Sequence, residues 1–248
     1  MGLAMLVCAA GVVGFGVRSP LVCRYERVTR EGGSVFLSES LMQRGYAWVD
    51  VLAGTSIRYG ISANAISWLA LGLGLAAGGA ATRGWMGLAA WALLLSGIGD
   101  AVDGAIARRQ GTANVGGEVL DSALDRYVEF FMFCGLLIYL RGSWVRELLV
   151  LIALFGGFMV TYSTAKAEAV GVIPSRGWMK RPERLVWLIG GAALSAAGRL
   201  ADFPPSAVIL GALAVIAFFS HISAIHRLRS LRSAVDGVTK SNYTVANL

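Results

Sequence analysis

Four aspartates between residues 100 and 125 stand where an apolar chain should tolerate none: Asp100, Asp103, Asp121 and Asp125. Asp100 and Asp103 close one apolar segment, and Asp121 and Asp125 open the next. Their spacings of three and four residues set each pair on one face of a helix. An ionisable side chain at the centre of a bilayer costs on the order of 2.5–3.5 kcal/mol on insertion scales, so such groups carry function by default. Four carboxylates together repel unless a cation lies between them. A pair of hard divalent ions with oxygen ligands is the natural occupant.

The chain that must position them has 248 residues, 56% hydrophobic and 15% charged, with a mean hydropathy of +0.65. Those values predict an all-α polytopic membrane protein rather than a soluble domain. Six core spans are expected at about 61–82, 86–107, 117–140, 145–168, 183–199 and 205–226, with polar or turn-forming residues in every break. The aspartates then flank the loop between the second and third spans. A net charge of +7 would suit nucleic acid, but the basic residues fall between apolar runs, where they mark cytoplasmic loops and meet anionic headgroups. No nucleic-acid partner is expected.

The loop with Arg176, Lys180, Arg181 and Arg184, and the tail with Arg227, Arg229 and Arg232, carry the densest positive charge. The positive-inside rule makes them cytoplasmic, and counting spans backwards puts residues 108–116 and the carboxylates on the same side. Residues 1–33 read as an apolar, glycine-rich segment and a basic linker, with the first 17 residues forming an extra N-terminal helix that anchors the chain. The basic residues follow that run, the reverse of a signal peptide. Residues 34–60 form an amphipathic stretch that should lie in the membrane interface. Residues 61–226 form the membrane domain, and 227–248 a basic cytoplasmic tail, poorly ordered beyond Arg232. Cys8, Cys23 and Cys134 have no metal-ligand spacing, and His221 and His226 read as interfacial residues.

Written with its spacing, the central run is Asp100-x2-Asp103-Gly104-x2-Ala107-Arg108-x8-Gly117-x3-Asp121-x3-Asp125. It resembles the signature of the CDP-alcohol phosphotransferases at all eight fixed positions. The wider resemblance covers roughly residues 60–226 and leaves 1–35 outside it. It implies attack by an alcohol on the β-phosphorus of a CDP-linked donor, with release of CMP. It also implies two Mg²⁺ ions, with Mn²⁺ as a substitute, held by Asp100, Asp103, Asp121 and Asp125. In the same way Asp125 becomes the general base, and Asp100, Gly104, Ala107, Arg108 and Gly117 the donor-binding residues, with Thr112, which the motif does not mark, expected to assist. Gly104 and Ala107, a turn apart, would leave a bare groove for a flat cytosine, with Gly117 doing the same from the facing helix. Arg108 would meet the donor phosphates. A homodimer in the bacterial cytoplasmic membrane, surrounded by membrane lipids, is implied as well.

For the acceptor, Tyr162 to Ala169 and Lys180 to Leu185 look like the corresponding region of bacterial phosphatidylinositol-phosphate synthases. Lys166, Lys180, Arg181 and Arg184 are the candidate acceptor ligands, because arginine pairs well with phosphate. Thr164 and Lys166 depart from that subgroup, which tends to have a second basic residue and an arginine there. The expected donor is CDP-diacylglycerol and the expected acceptor a polar alcohol, inositol phosphate first and glycerol-3-phosphate or another alcohol as alternatives. CDP-choline or CDP-ethanolamine with diacylglycerol is the runner-up, and a divalent-cation transporter the reading from another class. Asn64-x-Ile66-Ser67 resembles the entry to the first span in this superfamily, where Asn64 and Ser67 are expected to cap the helix.

Overall fold

The computed structural model describes residues 39–173, 175, 177–198 and 204–245. The N-terminal segment 1–33, Arg176 and the break at 199–203 lie outside the described residues. Among the described residues there are seven helices and no strand. They are α1 (Glu39–Arg58), α2 (Ala63–Thr82), α3 (Met86–Arg109), α4 (Val115–Tyr139), α5 (Trp144–Ala169), α6 (Arg181–Gly198) and α7 (Pro205–Val245).

Four of them, α2, α3, α5 and the first 32 residues of α7, are long and apolar enough to cross a membrane. The chain is therefore an integral membrane protein. The other two predicted spans, α4 and α6, exist as helices but carry more charge. Asp125, Arg126 and Glu129 interrupt the apolar part of α4, and Arg181, Glu183 and Arg184 open α6. Of these charges, Asp125 and Arg181 line the chamber at the aspartates.

Local chemistry sets the helix ends. Ser62 caps α2, its side chain accepting from Ala65 N at 3.2 Å. This corrects the expectation that Asn64 and Ser67 would do so. Asn114 caps α4 by accepting from Gly117 N at 2.8 Å. The loop between the aspartate pairs reverses through Gly111 at φ +66°, a left-handed conformation that glycine adopts without a Cβ penalty. Beyond Arg232 the chain remains helical to Val245, where a poorly ordered tail was expected. No proline interrupts that stretch.

Packing explains how the two aspartate-bearing helices are held. α3 and α4 touch each other little, and α2 packs along both. Two glycines let α2 and α4 cross closely. A Cβ on Gly78 would run into the Phe131 carbonyl, and one on Gly135 into the Gly78 carbonyl. Ser96 in α3 ties the other contact by donating to Ala70 O of α2 at 2.7 Å. The main core gathers Leu93, Phe133, Met132, Leu136, Leu188 and Leu213 from four helices. A smaller cluster seats α1 on the site end of α3, with Ala53 against Val102, Ala105 and Ile106. Arg109 reaches Asp50 of α1 at 2.6 Å, but both are about two-fifths exposed, so packing does most of the seating.

Candidate active site

The last turns of α3 carry Asp100 and Asp103, and the first turns of α4 carry Asp121 and Asp125. One carboxylate oxygen from each of Asp100, Asp103 and Asp121 lies within 4.8 Å of the others. Residues 21 positions apart thus converge as the spacing predicts. Asp103 is 5% exposed, and Ser67 Oγ of α2 donates to its Oδ2 at 2.6 Å. Sequence reasoning gave Ser67 a capping role. No spacing rule could find this contact, since its partner is 36 residues away.

Asp125 is fastened from the other side. Arg181, the first residue of α6, donates through Nη1 to Asp100 Oδ2 at 2.6 Å and pairs through Nη2 with Asp125 Oδ1. A planar fork suits this bridge between two carboxylates on different helices. One turn later, Arg184 is 1% exposed and takes Glu129 in a two-point pair, Nε to Oε1 at 2.5 Å and Nη2 to Oε2 at 3.1 Å. Its Nη1 also donates to Met179 O at 3.2 Å. Glu129 is a fifth carboxylate that the motif does not mark, although it follows Asp125 by four residues and so shares its face.

The donor set fits a hard divalent cation. Every candidate ligand is a carboxylate oxygen, with no His or Cys in the group, which favours magnesium or manganese over zinc. All four aspartates and Arg181 line a chamber of about 10 Å³, large enough for one small species.

Beside that chamber opens a cavity of about 690 Å³, within the usual range for small-molecule sites. Gly104, Ala107, Arg108, Thr112 and Gly117 all line it, together with Asp103 and Asp121. The expected donor residues therefore share one space, apart from Asp100, which faces the smaller chamber. Arg108 folds back over Gly104, whose added Cβ would come within 3.1 Å of its Nη1. A Cβ on Gly117 would meet only Asn114 Oδ1 at 3.6 Å, an ordinary contact, so the room it leaves belongs to the cavity.

The candidate acceptor residues are spread more widely. Arg181 faces the aspartates, Arg184 is buried against Glu129, Lys180 is half-buried, and Lys166 is exposed on the last turn of α5. Arg227, assigned to the tail by its position, is instead 7% exposed and donates to Thr164 Oγ1.

Comparison with known proteins agrees with this architecture. A family model described as CDP-alcohol phosphatidyltransferase matches residues 60–222. A phosphatidylinositol phosphate synthase of Mycobacteroides abscessus is 32% identical over 161 residues, 64% of this chain and 71% of that protein. An archaetidylinositol phosphate synthase of Methanothermobacter thermautotrophicus is 36% identical over 132 residues, 52% of this chain and 64% of that one. Among solved structures, the phosphatidylinositol phosphate synthase of Mycobacterium tuberculosis with CDP-DAG bound is similar at a TM-score of 0.65. It has 26% identity, over 74% of this chain and 92% of that one. The same enzyme in complex with manganese and citrate gives a TM-score of 0.66 and 27% identity, over 74% and 88% of the two chains. With two-thirds of its length under one family model and the four aspartates converging, the chain belongs to the CDP-alcohol phosphatidyltransferase family.

Proposed function

We propose that this protein transfers the phosphatidyl group of CDP-diacylglycerol to inositol phosphate, releasing CMP. The observation that carries this reading is the convergence of the aspartates beside a nucleotide-sized cavity lined by Gly104, Ala107 and Arg108. Relatives named as inositol-phosphate-lipid synthases support the acceptor, and the M. tuberculosis structures with CDP-DAG and with manganese support the donor and the cation.

Asp100, Asp103, Asp121 and Asp125 would hold the divalent cations, magnesium or manganese. When bound, these supply charge neutralisation for the donor pyrophosphate and the leaving CMP. Ser67 orients the Asp103 carboxylate. Arg108 lies at the cavity wall, placed to meet the donor phosphates, while Gly104, Ala107 and Gly117 leave room for the cytidine. Thr112 lines the same cavity. Asp125 accepts the proton of the attacking hydroxyl. The acceptor oxygen then forms a bond to the β-phosphorus, and the bond from that phosphorus to the bridging oxygen breaks. CMP departs with the electron pair.

Six spans at α2 to α7, an interfacial α1 and a cytoplasmic active site complete the proposal, with residues 61–226 as the membrane domain. The basic residues at the site end support that orientation. The charges of α4 and α6 are compatible with spanning because they pair with one another, Arg181 with Asp125 and Arg184 with Glu129. Lys166, Lys180, Arg181 and Arg184 are the cations assigned to the acceptor, the two arginines being paired with carboxylates here. A homodimer in the bacterial inner membrane belongs to the same proposal. Exposed apolar side chains such as Phe130, Ile138 and Phe155 are available to lipid or to a second copy.

The test offers inositol phosphate and glycerol-3-phosphate together with CDP-diacylglycerol and Mg²⁺, and identifies the lipid product by mass spectrometry. Phosphatidylinositol phosphate is expected. CMP release with only the glycerol product would move the assignment to that acceptor, and no CMP release with any alcohol would refute the activity.

A further inference from the structure

Arg181 and a divalent cation compete for the same oxygens. Asp100, Asp103 and Asp121 gather within 4.8 Å, but Asp125 stands outside that group, its Oδ1 taken by Arg181 Nη2. Asp100 belongs to both sets, since its Oδ2 accepts from Arg181 Nη1 at 2.6 Å. The guanidinium thus fastens α3 to α4 through Asp100 and Asp125, as a bridging metal would. Its anchor is a suitable pivot. Arg181 is the first residue of α6, at the end of the connection 170–180, and its side chain is 27% exposed. Arg184, one turn on, is 1% exposed and pinned by Glu129 and by Met179 O. One arginine therefore fixes the helix, and the other can leave its partners without unseating it.

We infer that Arg181 is an exchangeable counter-ion of the aspartate site: a divalent cation takes its place at Asp100 and Asp125, and the released guanidinium turns to the phosphate of the incoming acceptor. This rests on reading the aspartates as cation ligands. Two consequences follow from the contacts. Either cation offsets part of the negative charge in its turn, which lessens the repulsion of four close carboxylates. Release of Arg181 also clears Asp125 Oδ1 for the cation, so cation loading and acceptor capture become one event.

Mn²⁺ binding to the purified full chain, followed by electron paramagnetic resonance without substrates, tests the exchange. Arg181→Gln should tighten the weaker Mn²⁺ by about tenfold, or add an ion to the stoichiometry, because a tethered competitor has gone. Unchanged or weaker binding in that variant overturns the inference. A second measurement uses the unaltered protein, so it does not depend on the variant folding. Labelling of Arg181 by butanedione, read by peptide mass spectrometry, should be several-fold faster with Mn²⁺ than with chelator. Equal or slower labelling also overturns it. Asp125→Asn separates the two levels: if it binds Mn²⁺ as the unaltered protein does, the cation reading of Asp125 fails, and the exchange falls with it.

Discussion

Ser67 of α2 holds Asp103 of α3 by a 2.6 Å hydrogen bond, and this joins the first helix of the family match to the carboxylate cluster. Ala63 O lies 3.1 Å from the same hydroxyl as a second acceptor for its one proton, and the shorter contact to Asp103 is the stronger of the two. An acid oriented this way offers its remaining lone pairs in a fixed direction, as partners behind metal ligands generally do.

Ser67→Ala should weaken Mn²⁺ binding by about ten-fold, in line with the loss of such a supporting partner. Ser67→Thr, which keeps the hydroxyl, should restore most of it. Titration of both variants checks this, and equal affinity in the alanine form would leave Ser67 with a packing role only.

The Arg184–Glu129 pair is nearly sealed from solvent, so removing one partner strands a charge. Glu129→Leu alone should destabilise the protein by about 3 kcal/mol, and the double change with Arg184→Leu by much less. Thermal unfolding in detergent reads the difference. A double variant no better than the single one would mean that the pair carries more than mutual neutralisation.

The α2–α4 crossing makes its own prediction. Gly78→Val puts a side chain against the Phe131 carbonyl, and overpacking of this kind costs about 1–3 kcal/mol. Because α4 carries Asp121 and Asp125, separation of the helices should lower both melting temperature and Mn²⁺ affinity. Gly72, which has open space around it, is the control: Gly72→Ala should lower neither.

How much of this was legible in the sequence follows from the range of each contact. The aspartate convergence was readable because helix periodicity sets each pair, and a short loop closed by Gly111 returns the chain. Helix positions came through well, since apolar runs and turn residues are local signals: α5 at Trp144–Ala169 lies within a residue of the expected 145–168. The pairings that finish the site were not readable. Ser67–Asp103, Arg184–Glu129 and Arg227–Thr164 span 36, 55 and 63 residues, and only tertiary packing decides them. The capping role expected for Ser67 failed because α2 begins at Ala63 with Ser62 as its cap. The basic cluster at 180–184 read as cytoplasmic loop charge and as candidate acceptor ligands, but its pairing of Arg184 with Glu129 and of Arg181 with the aspartates was not readable.

The most direct test of the central claim follows the β-phosphorus. CDP-diacylglycerol labelled with ³²P at the phosphate bearing the diacylglycerol should pass its label to phosphatidylinositol phosphate when Mg²⁺ and inositol phosphate are present. The released CMP should stay unlabelled, and Asp125→Asn should stop the transfer. Label recovered in CMP, or transfer that continues undiminished in Asp125→Asn, would contradict the account.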